Sequence, residues 1–121
     1  MTAMPNDELS LKEIKRLIAD AYRRIEVFEM TEESVVRPSS FKEEALVDVI
    51  FMNVYRVLEE ANSLSFDLKM RHRDIPWDQV RGMRNRLAHD YSHVNREVVW
   101  GTIRDNFPQL ELLVEQELSR S

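Results

Sequence analysis

The sequence predicts an all-α fold, an antiparallel helical bundle of four main helices plus a short helix. Only two of the 121 residues are glycine, and the chain shows no sustained alternation of apolar and polar residues that would mark β-strands. Apolar residues recur instead every three or four positions, which is the spacing of one helix face. A chain of this length supports one core, so we expect a single domain over residues 1–121.

The first main helix is predicted from an apolar stripe in the first thirty residues. Asn6 or Asp7 is expected to cap its start. A short helix or turn should follow at residues 31–34, and Pro38 should end it. The stripe consists of Leu11, Ile14, Ile18, Ala21, Ile25 and Phe28.

The second main helix should open at Ser40, because Glu43 follows three residues later in a capping-box pattern. Residues 66–74, which are polar and basic, are expected to form the connection to the third helix. The face of the second helix is formed by Leu46, Val49, Ile50, Asn53, Val57, Leu58, Ala61 and Leu64.

The third main helix is expected to begin around Pro76, with proline near the first-turn position, and to run through residues 84–91. Asn95 should cap the last helix, and Pro108 should kink that helix or split it in two. A small bundle leaves apolar surface, which makes a two-fold homodimer the default expectation. That surface is expected to come from Phe51, Trp77, Met83 and Trp100.

Composition narrows the class of protein. The chain has no cysteine, which excludes a disulfide framework and a thiolate metal site. The N-terminus lacks the basic-then-apolar order of a signal peptide, and no apolar run approaches the length of a membrane span. We therefore expect a soluble cytoplasmic protein without a membrane partner.

Charge is distributed unevenly. The net charge is −5, which argues against general adhesion to nucleic acid. Residues 69–96, the basic segment, contain seven Lys and Arg and three Asp, so this segment is +4 and the remainder is −9. A partner that carries phosphate fits such a segment, although local imbalance is also common on solvated helices.

The string RNRLAHDY, residues 84–91, concentrates polar chemistry in the basic segment. Arg84 offers a planar fork of donors for phosphate, and His89 can exchange a proton near neutral pH. Asn85 can hold an imidazole or an oxygen in position. The set fits RNA cleavage by the 2′-hydroxyl of the RNA, which requires no metal. The alternative is a salt-bridged surface helix in which Arg86 pairs with Asp90.

The spacing of Arg84 and His89 bears on oligomeric state. Five residues on a regular helix place two side chains about 140° apart. Convergence on one point then needs a distorted helix, the long reach of arginine, or a second subunit. This geometry favours a site at a dimer interface, where two copies of His89 would be available.

Other polar residues nearby are candidates for metal or RNA binding. His89 and His93 have the spacing of the zinc helix H-E-x-x-H, but Asp replaces the Glu and no third ligand is evident, so no metal site is expected. Arg81, Arg86 and His93 are candidate RNA contacts, and His93 is also a candidate partner contact. His72 is expected to be a solvated loop residue.

The motif Arg84-Asn85-x-x-x-His89 resembles the Arg-polar-x-x-x-His signature of HEPN-domain ribonucleases. The longer strings IPWDQVRGMRNRLAHDY and VNREVVW are similar to HepT-like toxins, the partners of minimal nucleotidyltransferase (MNT) antitoxins, and the likeness runs from about Leu9 to Leu118. The resemblance implies a HEPN-like helical toxin that dimerises and cuts RNA without metal or cofactor.

The resemblance also assigns roles. It implies that Arg84 engages phosphate, Asn85 supports it and His89 is the acid or base. It further implies that the antitoxin transfers AMP from ATP to Tyr91, which silences the toxin. Tyr91 lies seven residues after Arg84 and is therefore expected on the same helix face. The chain departs from the family at Ser92-His93 and in the segment FMNVYRVLEEA.

Two functions remain open at this point. The first is a toxin endoribonuclease, which the pair Arg84 and His89 favours. The second is a non-catalytic helical interaction module that docks or regulates a nucleotidyltransferase, which the acidic net charge favours.

Overall fold

The computed structural model of the chain describes residues 5–120. Seven α-helices occur in this range, and no strand does. The helices are α1 (Pro5–Val27), α2 (Glu32–Val36), α3 (Phe41–Asn62), α4 (Phe66–Arg71), α5 (Trp77–His89), α6 (Arg96–Gly101) and α7 (Phe107–Leu118). A 3₁₀ turn, Tyr91–His93, links α5 to α6, and a π-helical segment, Thr102–Asn106, joins α6 to α7.

The prediction of an all-α bundle with four main helices is confirmed, when α6, the π segment and α7 are counted as one. Helix α1 packs on α3 and α7, and α3 packs on α5. The first turn of α1 bonds to the residue before α4, since the Asp7 carboxylate accepts from the Ser65 N–H at 2.8 Å. Farther along, the Asn53 amide donates to the Leu17 carbonyl at 3.1 Å. Helices α1 and α3 are therefore antiparallel.

Two predicted caps, Ser40 and Asn95, are confirmed. The Asn95 Oδ1 accepts from the Val98 N–H at 3.2 Å. The reciprocal capping box that Thr31 and Ser34 form at the start of α2 was not predicted. The Ser40 hydroxyl caps α3 by accepting from the Glu43 N–H at 3.1 Å. The Glu43 carboxylate, however, accepts from Ser39 rather than from Ser40.

Two boundary predictions are wrong. Residues 66–74 do not form a simple connection, because α4 occupies 66–71 and the Ser65 hydroxyl caps it. Helix α1 begins at Pro5, so Asp7 lies in its first turn and holds Ser65 instead of capping its own helix. Both errors have one cause: a short helix tied down by a contact 58 residues away leaves no periodic signal in the sequence.

Pro76 and Pro108 both lie at helix starts. Pro76 lies at the N-cap of α5, one position outside the helix. Pro108 falls in the first turn of α7, directly after the π segment. Proline has no N–H to donate to the preceding turn, and its ring clashes with that turn's carbonyl. The last helix was predicted to kink or split at Pro108; the structure instead interrupts it with a π bulge directly before that residue.

The predicted apolar surface is wrong. Phe51 and Met83 are buried in the core, while Trp77 and Trp100 pack half-buried against it. Conversely, two residues assigned to apolar stripes are exposed, namely Phe28 and Val49. No helix in residues 5–120 is long and apolar enough to cross a membrane.

Candidate functional site

A groove of ≈ 510 Å³ lies between α3, the end of α5 and the 3₁₀ turn. Arg84, His89 and Tyr91, three residues singled out in the sequence, all line it. Its remaining walls come mainly from apolar side chains. The groove is lined by Asp48, Phe51, Met52, Tyr55, Arg84, Leu87, Ala88, His89 and Tyr91.

Arg84 is held by two polar neighbours. Its Nε donates to the Glu59 Oε2 at 3.0 Å, and its NH2 lies 2.9 Å from the same oxygen. Its NH1 donates to the Asn85 Oδ1 at 3.0 Å. A guanidinium has five N–H groups, so two of them stay available to an anion in the groove.

Glu59 was missed by the sequence reasoning. Besides Arg84, it accepts a hydrogen bond from the Tyr55 hydroxyl at 2.8 Å. The bond from Tyr55 lowers the pKa of Glu59, and Arg84 lowers it further against the opposing effect of burial. The carboxylate is therefore ionised at neutral pH. Tyr55 and Glu59 share a face of α3, which the sequence shows, but their pairing with Arg84 depends on how α3 meets α5.

His89 is the last residue of α5 and is exposed at the groove. Among residues 5–120, no side chain hydrogen-bonds its imidazole. The ring can therefore exchange a proton with a bound molecule, because neither nitrogen is engaged elsewhere. Arg84 and His89 line the same groove within one chain, so a second subunit is not needed to bring them together.

Tyr91 lines the groove, but it belongs to a different structural element from the one predicted. Helix α5 ends at His89, and Tyr91 lies in the 3₁₀ turn, so the expectation that Tyr91 shares a helix face with Arg84 is wrong. The Tyr91 hydroxyl donates to the Asp48 carboxylate on α3. Its ring meets Phe51 edge-on, with centroids 6.1 Å apart and planes at 90°.

The environment of Tyr91 keeps its hydroxyl protonated. Burial raises the pKa of Tyr91 well above its ordinary value of 10.0, and the bond to Asp48 and that residue's charge raise it further. The positive charge of Arg96 opposes this shift in part. The residue is nevertheless 41% exposed, so a second protein can reach it.

The three candidate RNA contacts lie outside the groove. Arg81 pairs with Asp78 at 3.0 Å, and Arg86 is exposed on α5. His93 bonds Asp90 at 2.7 Å, and no pair between Arg86 and Asp90 occurs. In residues 5–120 no three His, Cys, Asp or Glu side chains are grouped so as to hold a metal ion.

A second arginine–histidine pair in the basic segment has a different environment. The prediction that His72 is solvated is wrong, because its Nε2 lies 2.6 Å from the Glu117 Oε2. Arg71 bonds the other oxygen of Glu117 at 2.7 Å. Burial raises the pKa of Glu117, but the bonds from Arg71 and His72 outweigh it, and the pKa is lowered. Glu117 is only 1% exposed, so this cluster is structural.

Comparison with known proteins agrees with the sequence resemblance. The family model described as "Ribonuclease HepT-like" matches residues 18–117. No solved structure matches this chain.

Three relatives are similar over parts or most of the chain. A protein of Caldanaerobacter subterraneus subsp. tengcongensis named "Putative RNase" is 30% identical over 81 residues, which cover 66% of this chain and 72% of that protein. A "Probable ribonuclease HepT" of Thermococcus cleftensis is 34% identical over 53 residues, 44% of this chain and 48% of that protein. A "Putative RNase" of Methanocaldococcus jannaschii is 20% identical over 109 residues, 88% of this chain and 98% of that protein. The chain therefore belongs to the ribonuclease HepT-like family.

Proposed function

We propose that this chain is the toxin of a toxin–antitoxin pair, a cytoplasmic endoribonuclease that cleaves RNA without a metal ion. The observation that carries the proposal is the meeting of Arg84 and His89 in one groove, with Asn85 bonded to Arg84. Membership of a ribonuclease family supports RNA as the substrate.

The proposed reaction uses the 2′-hydroxyl of the RNA as the nucleophile. Its oxygen attacks the adjacent phosphorus, the bond to the 5′-oxygen breaks, and the products are a 2′,3′-cyclic phosphate and a 5′-hydroxyl. One proton has to leave the nucleophile and another has to reach the leaving oxygen. His89, whose imidazole is unbound, performs one of these transfers. The second copy of His89 in a homodimer would perform the other.

Arg84 is proposed to stabilise the negative charge that grows on the phosphate oxygens. Its two remaining N–H groups suit this role, and donors fixed in advance lower the barrier more than donors that must reorganise. Glu59 and Asn85 fix the guanidinium from two sides. Arg81, Arg86 and His93, which are exposed outside the groove, are proposed to guide the rest of the RNA strand.

A homodimer with a composite site is part of the proposal. Two large apolar side chains of α3, Val49 and Met52, are exposed near the groove, at 41% and 56%. Covering such residues favours association, and this supports a dimer that joins two grooves.

An MNT nucleotidyltransferase is proposed as the antitoxin, transferring AMP from ATP to Tyr91. The position of the Tyr91 hydroxyl in the groove, beside the proposed phosphate site, supports this. A bound AMP would add negative charge and bulk where the RNA phosphate has to enter.

The second candidate is a non-catalytic module that docks or regulates the nucleotidyltransferase. The ion pair between Arg84 and Glu59 favours it, because the arginine already has a counter-ion. The net charge of −5 favours it as well.

Incubation of the purified chain with RNA in EDTA separates the two. We expect cleavage with 2′,3′-cyclic phosphate ends for the wild type, and a loss of about 100-fold or more for His89→Ala. Arg23→Ala, an exposed residue of α1 outside the groove, is the control and should cleave at a similar rate to wild type. Equal cleavage by wild type and His89→Ala contradicts the catalytic role, and no cleavage by either supports docking.

Mixing wild-type and His89→Ala subunits tests the composite site. If cleavage needs both copies of His89, mixed dimers are inactive, and an equal mixture refolded together should keep about a quarter of wild-type activity, since about a quarter of the dimers have two intact copies. A site contained in one chain keeps about half, which would reject the composite arrangement and leave the catalytic assignment intact.

A further inference from the structure

Among residues 5–120, the Tyr91 hydroxyl donates to one acceptor, the Asp48 carboxylate. Asp48 lies on α3 and is 43 residues away in sequence. The edge-on contact with Phe51, at 6.1 Å between centroids, limits where the tyrosine ring can turn. Both Asp48 and Tyr91 are exposed, so the bonded pair is accessible from outside.

A tyrosine in this environment cannot act as a nucleophile by ionising beforehand. Its pKa is raised by burial and by Asp48, so the hydroxyl keeps its proton at neutral pH. A phenol attacks phosphorus well only when its proton is removed during the attack. A base must therefore lie within hydrogen-bond distance of the hydroxyl, and Asp48 already does.

We propose that Asp48 is the catalytic base for the modification of Tyr91, supplied by the modified protein itself rather than by the nucleotidyltransferase. This inference rests on the proposed AMP transfer. The Tyr91 oxygen forms a bond to the α-phosphorus of ATP, and the bond from that phosphorus to the β-phosphate oxygen breaks. The phenolic proton passes to the Asp48 carboxylate, and pyrophosphate leaves.

The surroundings of the pair suit this step. Arg96, at the start of α6, is the cation whose charge acts on the Tyr91 hydroxyl. The positive charge of Arg96 stabilises the negative charge that develops on the Tyr91 oxygen as the proton leaves. The transferase then has to supply only ATP, its metal ions and the alignment of the α-phosphate.

The test measures the rate of AMP addition by intact mass, with the full-length chain, the partner nucleotidyltransferase, ATP and Mg²⁺. Wild type should gain AMP units, and Tyr91→Phe should gain none. Asp48→Asn keeps the shape and an acceptor oxygen but cannot take the proton, so its rate should fall by about 100-fold or more. Asp48→Glu keeps a carboxylate and should retain most of the rate. Glu44→Gln, one turn earlier on the exposed surface of α3, is the charge control and should be unaffected.

The outcomes separate this inference from the function on which it rests. A wild-type rate of AMP addition in Asp48→Asn overturns the proposed role of Asp48 as the base. Equal slowing of Asp48→Asn and Asp48→Glu also overturns it, because the carboxylate would then only shape the site. An unmodified wild type overturns the AMP transfer to Tyr91 and this inference together. If Asp48→Asn melts at a lower temperature than wild type, Asp48→Ala is used instead, with formate added to replace the missing carboxylate. Faster AMP addition with formate supports Asp48 as the base. A rate that does not depend on formate rejects that role.

Discussion

Two arginine–histidine pairs in the basic segment meet different surroundings. Arg71 and His72 both bond Glu117, a carboxylate that is 1% exposed. Arg84 and His89 instead line an open groove, and the His89 imidazole is left without a partner among the described residues. The residue types are the same, and both pairs lie in residues 69–96.

The difference shows that function here follows from the surroundings of each pair rather than from residue type. At the first pair the buried Glu117 bonds both the arginine and the histidine, as buried charges require. At the second pair Glu59 bonds Arg84, and the His89 imidazole is left open to the groove. The imidazole and the remaining donors of Arg84 are what an RNA phosphate can use.

Replacing each arginine with alanine has the largest expected effect and tests whether the two pairs have different roles. Arg84→Ala should lower RNA cleavage by about 100-fold or more, the loss that follows removal of a donor to a developing oxyanion. Its melting temperature should change little, because its ion pair is partly open to solvent. Arg71→Ala should cleave normally per folded molecule. Its unfolding free energy should fall by about 2–3 kcal/mol, because Glu117 loses a buried partner.

Cleavage assays and urea unfolding of both variants check this pattern, with Arg23→Ala on α1 as the exposed control. A loss of activity in folded Arg71→Ala, or strong destabilisation by Arg84→Ala, would contradict the division between structural and functional pairs.

The buried cluster should also give the protein an acid-sensitive stability. The pKa of Glu117 in the folded chain lies below its ordinary value of 4.5. The unfolded chain therefore takes up this proton at a higher pH than the folded chain does. The stabilisation is complete above pH 4.5 and is lost as pH falls through the folded-state pKa.

Glu117→Gln removes this titration. The variant should be less stable than wild type by about 2 kcal/mol near neutral pH, the worth of a hydrogen bond to a charged group. The gap should narrow as pH falls below 4.5. Urea unfolding at several pH values measures it, and the other carboxylates cancel because both proteins contain them. A gap that is constant with pH would show that Glu117 does not titrate differently in the folded chain.

Much of the fold was predictable because it depends on local signals. Apolar spacing predicted α1 and α3, and Ser40, Pro76 and Asn95 marked the starts of α3, α5 and α6. Helix α4 and the buried Phe51 were not predictable in this way. Each depends on contacts between distant parts of the chain, which leave no periodic pattern.

Three residues that line the candidate site could be predicted from the sequence, but the acidic residues that bond to them could not. Arg84, His89 and Tyr91 were selected from one string of eight residues, and the structure brings all three to one groove. Their partners Asp48 and Glu59 come from α3. Two acidic residues on a helix with several others have no distinguishing pattern, and only the packing of α3 on α5 shows which ones matter.

Glu59→Gln, which changes the carboxylate at the pair that lines the open groove, has the smallest expected effect of these variants. Glutamine can keep bonds to Arg84 and Tyr55 but removes the negative charge beside the proposed phosphate site. RNA affinity should therefore rise by about fivefold, which corresponds to about 1 kcal/mol of lost repulsion near a protein surface.

Binding is measured in the His89→Ala background, so that RNA stays intact, with Glu60→Gln as the neighbouring control. Unfolding free energy should change by less than about 1 kcal/mol, because the Glu59 side chain is 41% exposed. Weaker RNA binding would mean instead that the ionised carboxylate is needed to aim Arg84 at the phosphate. Arg84 would then resemble Arg71 in depending on its carboxylate, and the two pairs would differ only in how much of each remains open to solvent.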